Sequence, residues 1–272
     1  MTTPSNVRQG EVDDSVDSLG EGPHNWGTPL VERVLQRAGV GRGTQLLDLG
    51  CGTGQLCRLA ADRGAQVTGI DHDARQVEQA AALVPEGTFD VGDILALPYP
   101  AARFDAVICV QSIMHVTNPL TALREAARVA RHGAPVAVTV WGKEENCDIR
   151  AFGQALSGLL APGLLPRAVG QRSGVHPPPL SADGRLERLA KLAGLTVTEV
   201  GEVSCPFRYP DEDALLRDLL GSGLGRRALR VASPAAVRRA VLVGLAGYRT
   251  STGGYRLDNT FRYLVGSAPQ PT

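Results

Sequence analysis

Lysine is almost missing from the 272 residues: only Lys143 and Lys191 carry an ammonium group, and the other cationic side chains are arginines. In a chain rich in Ala, Gly, Leu and Val this reads as the coding bias of a GC-rich genome. An excess charge of either sign is missing as well. The 28 basic residues balance 28 acidic ones, for a formal net charge of zero. Proteins that live on phosphate backbones ordinarily carry a basic excess, so nucleic acid is disfavoured as the main partner. No apolar run approaches the ~20 residues of a membrane helix. The start is polar and acidic (Glu11, Asp13, Asp14, Asp17), unlike a signal peptide, and no membrane contact is expected. Cys51, Cys57, Cys109, Cys147 and Cys205 form no CxxC pair and no Cys/His spacing that would hold a metal. Reduced thiols in a cytoplasmic protein fit that pattern. With 43% apolar and 21% charged residues, the chain can bury a sizeable core.

What is present is alternation. Residues 1–26 lack apolar periodicity and read as a flexible tail. Leu30, Val31, Val34, Leu35 and Ala38 then repeat at helical spacing, stopped by Gly39 and Gly41. Strands are expected at 45–49, 66–70, 88–91, 104–110 and 134–140, with helices at 55–63, 73–83 and 118–131 between them. The 104–110 run is almost wholly apolar, as for a strand buried on both faces. Asn118 and Pro119 form a helix start. Repeated β-α-β units imply an α/β fold: a Rossmann-like, mostly parallel sheet with helices on both faces. Beyond Trp141 the rhythm breaks. Residues 143–182 hold one helical stretch (149–160) and a Pro/Gly-rich segment, and read as a lid. A helix at 186–193, a strand at 196–207, two helices near 211–220 and 234–247 and a last strand at 255–265 complete the chain. The expected division is therefore a 1–26 tail and a single domain, 27–272. Its parts are a cofactor core at 43–142, the lid, a cap insertion at 211–250, and the rest of the sheet at 183–210 and 251–266.

The chemistry is concentrated in Asp48-Leu49-Gly50-Cys51-Gly52-Thr53-Gly54. Gly50, Gly52 and Gly54 follow a strand and open a helix, where bare backbone lets a ligand approach. Nicotinamide dinucleotide sites use such a loop too, which leaves an oxidoreductase open. The spacing here is GxGxG, without a glycine at the sixth place, and Asp48 would repel a pyrophosphate while suiting an ammonium group. Asp71 closes the second strand, where a carboxylate can accept both hydroxyls of a ribose. Asp93 ends the third, placed to take an adenine amino group while Ile94 packs on the ring.

Taken together, LLDLGCGTG at 46–54, GID at 69–71, GDILALPYPAARFDAVICVQSIMHV at 92–116 and LREAARVARHGAPVAVTVW at 123–141 resemble the class I S-adenosylmethionine-dependent methyltransferases. The small-molecule branch that includes ubiquinone and menaquinone methyltransferases is the most similar. The resemblance covers about 43–142 and implies a seven-stranded sheet with a helical cap. It also implies S-adenosylmethionine as cofactor, with S-adenosylhomocysteine as product. By it, Gly50, Cys51 and Gly52 line the methionine part and Asp48 orders their surroundings. Asp71 holds the ribose, His72 lies beside the adenine, Asp93 and Ile94 read the base, and Gln111 sits near the ammonium or the sulfonium. The acceptor is expected to be a small molecule offering an O, N or C nucleophile, from a specialised (natural-product) pathway. A fold that binds S-adenosylmethionine without transferring methyl, or one acting on a macromolecule, stays open.

His115 lies where acceptor and methyl group should meet. An imidazole there could take a proton, or could simply shape the pocket. Trp26 and Trp141 are either core or the aromatic wall of a substrate pocket. Cys51 fills a place that needs a small residue. Arg128, Arg131 and His132 at a helix end complement its dipole. The Asn/Asp-Pro-Pro-aromatic motif of amino-methylating nucleic-acid enzymes is missing, as is the Pro-Cys of cytosine C5 enzymes. Trp141-Gly142 cannot supply the acid that a magnesium-dependent catechol enzyme needs.

Overall fold

The structure, a computed structural model, describes residues 22–23, 26–160 and 179–270. Helix α1 (Thr28–Arg37) leads into β1 (Gln45–Leu49), α2 (Gln55–Ala61), β2 (Gln66–Asp71), α3 (Ala74–Leu83), β3 (Thr88–Val91), β4 (Ala106–Val110), α4 (Pro119–Val129) and β5 (Pro135–Trp141). Local chemistry sets these boundaries. The Asp73 carboxylate accepts from Arg75 N–H to start α3, and Asn118 accepts from Thr121 N–H ahead of Pro119 to start α4. The later elements are α5 (Arg150–Leu156), α6 (Arg185–Leu192), β6 (Thr196–Ser204), β7 (Phe207–Tyr209), α7 (Glu212–Gly221), α8 (Gly223–Val231), α9 (Pro234–Gly244), β8 (Tyr255–Leu257) and β9 (Thr260–Ser267).

Seven strands form one sheet in the order β3-β2-β1-β4-β5-β9-β6. All pairs are parallel except the two made by β9, which lies antiparallel between β5 and β6. From β1 the chain first moves outward to β2 and β3, then returns to build β4 and β5 on the other side. The order reverses between β1 and β4, and at such a switch point the loops leave a crevice beyond the carboxyl ends of the strands. Alternate side chains of β1 serve the two faces. Leu47 and Leu49 join α4 and α6, while Leu46 joins α1, α2 and α3. A third apolar core holds α5, α7, α8 and α9 against β7 and β8, forming the cap.

Several expected elements shift. The 196–207 and 255–265 strands each break at the same level. Pro206 has no N–H to give a ladder, Cys205 N–H donates across to the Asn259 carbonyl (2.8 Å), and both chains turn into the separate β7–β8 ribbon. Helix α8 has no counterpart in the sequence reading, which places helices only near 211–220 and 234–247. In the structure Ser222 caps it, and Gly225 is required because a Cβ there would fall 2.2 Å from the Leu219 carbonyl oxygen. The strand expected from Phe104 begins at Ala106. The described residues also reach further back than Trp26, for Gly22 already lies against Trp26 and Phe207. Of the expected lid, 161–178 lies outside the described residues, as does most of the expected tail.

Trp26, Trp141, Phe207 and Phe261 form one aromatic cluster. The Trp141–Phe261 and Trp26–Phe261 ring centroids are 4.4 and 4.6 Å apart, and Trp26 stacks on Trp141 at 6.3 Å. The cluster fastens the start of the chain and the cap to the ends of β5 and β9. Among the described residues no helix is long and apolar enough to cross a membrane.

Candidate active site

The loop after β1 carries left-handed backbone at Gly50, Gly52 and Gly54, with φ of +70°, +53° and +87°. At Gly50 a partner explains the choice directly: a Cβ would sit 2.4 Å from Ser112 Oγ. That hydroxyl lies 3.0 Å from the carbonyl oxygens of both Gly50 and Val110, so the loops after β1 and β4 are stitched together across the switch point. The β2 end is joined to the same loop. Asp71 Oδ2 accepts from Gly52 N–H (2.9 Å), while Oδ1 accepts from Asp73 N–H (3.0 Å) and lies 3.1 Å from His72 Nδ1. A carboxylate has about four acceptor positions, so capacity remains for ligand hydroxyls. His72 itself is largely exposed. Asp93 Oδ1 accepts from Leu95 N–H (2.8 Å), which fixes the turn after β3, and Ile94 is buried beside it.

Asp48 departs from the expectation that its charge would face a ligand. It is buried in β1 beneath the loop, and Cys57 Sγ–H of α2 donates to its Oδ2 (3.4 Å). Burial pushes its pKa up from the ordinary carboxylate range to about 7, and the nearby Asp71 adds to the rise. The carboxyl therefore lies beneath the loop, with its charge only partly present near neutrality. Cys51 is likewise buried, and burial raises its thiol pKa well above the ordinary value, as expected for a residue that only fills space.

Gln111 stands directly after β4 with φ +55°, an unusual conformation for a side chain of its size. Its N–H and its Nε2–H both donate to Thr139 Oγ1 on β5, at 3.0 and 2.9 Å. Its Oε1 is buried without a partner. His115 follows in a short 3₁₀ turn, Ile113–His115, half-buried and hydrogen-bonded to the Gln111 backbone. Burial and neighbouring His72 lower its pKa below the usual imidazole value, whereas the Gln111 bond opposes them.

A cavity of about 500 Å³ opens next to this turn over the end of β5. Met114, Val140, Trp141, Ile149 and Leu180 make its lining mainly apolar, and the Lys143–Asp183 ion pair (3.0 Å) spans its rim. Trp141 lines this cavity, one of the two places the sequence left open for it. Trp26 is not among the lining residues and stands behind Trp141 as a support. Met114, Ile149 and Leu180 were missed in the sequence. Only Met114, adjacent to His115, gave a signal that could have found it. Two other expectations changed: Arg128 pairs with Glu125 and donates to the Leu97 and Tyr99 carbonyls, and Arg131 pairs with Asp105, so neither merely complements a helix dipole.

Residues 47–138 match the methyltransferase domain family. The O-methyltransferase cnsE of Penicillium expansum is 30% identical over 215 residues, which cover 76% of this chain and 72% of that protein. The chain belongs to the class I S-adenosylmethionine-dependent methyltransferases. A second relative of this methyltransferase, the 27-O-demethylrifamycin SV methyltransferase of Amycolatopsis mediterranei, is 34% identical over 140 residues, 49% of this chain and 50% of that one. Among solved structures the [4+2]-cyclase SpnF superposes with a TM-score of 0.57 over 93% of this chain and 84% of its own, at 22% identity. That likeness is one of fold. The cofactor of the methyltransferase is S-adenosylmethionine, and the nicotinamide alternative falls away. The residues present fit it: a bare glycine backbone, a carboxylate with acceptor capacity to spare, and a buried oxygen lacking a donor.

Two outcomes are expected. Asp71→Ala should weaken binding of S-adenosylhomocysteine at least ~10-fold by calorimetry, since hydrogen bonds to a charged group contribute ~1.5–3 kcal/mol each. Unchanged affinity in a folded variant would remove Asp71 from the ribose site. Asp48 supplies a pH signature. Its folded pKa is raised, so the folded state holds a proton that the unfolded state loses from pH 3.8 upward. Stability should therefore fall as pH rises from about 4 to about 7, by up to ~1.4 kcal/mol per pH unit. Urea titrations of Asp48→Asn should show that slope flattened, and parallel curves for the two proteins would contradict the assignment.

Proposed function

We propose that the methyltransferase O-methylates a small, largely apolar molecule held in the cavity beside His115. The observation that carries this reading is the adjacency of Met114 and His115 on one turn: the first lines the apolar cavity and the second follows the loop that bears Gln111. The two similar proteins are an O-methyltransferase and an enzyme named for a 27-O-demethylated rifamycin, which supports a hydroxyl acceptor of specialised biosynthesis. The cavity and the balanced charge favour a small molecule over a macromolecule or nucleic acid. All five cysteines are free and buried, which supports a reducing, cytoplasmic setting.

When bound, the cofactor supplies a methyl group already activated by its sulfonium. The chain's part is alignment, exclusion of water and handling of one proton. In the proposed arrangement Asp71 holds the ribose, with His72 beside the adenine. Asp93 and Ile94 receive the base, and Gly50, Cys51 and Gly52 flank the methionine part. Gly54 opens α2 and lets it pack closely on α3, where a Cβ would fall 2.9 Å from Ala80 Cα. The apolar walls orient the acceptor, and alignment of this kind can contribute ~7–11 kcal/mol to a displacement. His115, with its pKa lowered, is neutral at pH 7 and can take the hydroxyl proton as the oxygen attacks. The 143–182 stretch, in its described parts, and the 211–250 cap are the proposed selectors of the acceptor.

Incubation with S-adenosylmethionine and a panel of small phenols and alcohols should yield products heavier by one methylene unit. A panel that gives none, beside methylated peptide or nucleic acid, would overturn the reading. The rate with an active phenol should fall on the acid side of a pKa below 6.5, and His115→Gln should be ~10²- to 10⁴-fold slower and lose that limb. A variant within a few-fold of wild type at every pH would reduce His115 to a wall of the pocket.

A further inference from the structure

Thr139 lies in the middle of β5, wholly buried, and its hydroxyl oxygen receives both the backbone N–H and the side-chain Nε2–H of Gln111. One oxygen thereby fixes a residue on the neighbouring loop at two points. Gln111 needs such a hold, because its left-handed backbone is disfavoured for a residue with a long side chain and persists only where surroundings impose it. The double bond also commits the amide. With Nε2 turned toward Thr139, Oε1 is directed away from it and is left buried with no donor. An unmet buried acceptor is costly unless a ligand completes it. Gln111 leans toward β5, and the residue after it, Ser112, ties the same loop to Gly50 at the end of β1.

We propose that Thr139 is a positioning residue: it holds Gln111 in its strained conformation so that Oε1 accepts a hydrogen bond from the ammonium group of the cofactor's amino-acid part. Of that part's groups near the loop, the ammonium is the one that donates N–H; the sulfonium has none, and a carboxylate would repel the oxygen. The inference rests on the proposed placement of the cofactor along the β1 and β4 ends. Thr139 touches no ligand and acts through Gln111 alone.

The test compares two ligands by calorimetry: S-adenosylhomocysteine, and 5′-methylthioadenosine, which keeps the nucleoside and sulfur but lacks the amino acid. Thr139→Val preserves shape and removes the acceptor. It should bind S-adenosylhomocysteine roughly 10-fold more weakly, as expected for a lost hydrogen bond to a charged group, and methylthioadenosine as wild type does. Thr139→Ser should restore the affinity. Gln111→Met should show the same selective loss, and adding Thr139→Val to it should lose nothing further. Equal weakening of both ligands would make Thr139 a structural residue of the sheet, and no weakening of either would also overturn the proposal. Should Thr139→Val fail to fold by circular dichroism, Gln111→Met decides with the same pair of ligands. If wild type binds neither ligand, or if Asp71→Ala leaves both affinities unchanged, the cofactor placement itself fails, a result distinct from failure of the Thr139 role.

Discussion

The functional edge of this protein depends on one topological constraint. Parallel strands joined by right-handed crossovers place β2 and β3 on one side of β1 and β4 and β5 on the other. The loops after β1 and β4 then diverge, and among the described residues no strand lies between β1 and β4. The loop after β1 is tied down on both sides. Glycines keep the β1 loop bare, the Ser112 hydroxyl ties it to the β4 loop, and the Asp71 carboxylate ties it to β2. These are short, polar ties that hold backbone in place while leaving acceptor atoms free. A site built this way is formed before its ligand arrives, which lowers the ordering cost of binding.

The second theme is what burial does to polar groups beneath the edge. Asp48 accepts from a weak thiol donor, its only hydrogen-bond partner among the described residues, and burial raises its pKa toward neutrality. Gln111 keeps one amide atom satisfied and one unmet. Both arrangements cost folding stability, and neither is needed to build the sheet. Strain and unmet polarity concentrated at one edge are what a functional site leaves in a fold. By contrast, the aromatic cluster of Trp26, Trp141, Phe207 and Phe261 is apolar support, and it couples the cap to the strand that carries the cavity wall.

The β-α-β half was legible because its signals are local: apolar runs for buried strands, Asp73 and Asn118 as caps, glycines after β1. The family likeness then ordered Asp48, Asp71, Asp93 and Gln111 along successive strand ends. The later half was harder to read. The breaks at Cys205-Pro206 and Asp258-Asn259 depend on two strands turning together, and no single segment encodes that. Helix α8 escaped the sequence reading, and its Gly225 serves close packing on α7 instead of ending a helix. At the site, burial decided what residue type could not. It set Asp48 beneath the glycine loop, placed Trp26 behind Trp141, and brought Leu180 to the same cavity as Met114.

The most direct measurement is a crystal structure with S-adenosylhomocysteine. The ribose is expected on Asp71, the amino group within hydrogen-bond distance of Gln111 Oε1, and the sulfur turned toward the cavity lined by Met114 and Trp141. A ligand whose sulfur faces away from that cavity, or one bound elsewhere on the chain, would contradict the proposed alignment of cofactor and acceptor.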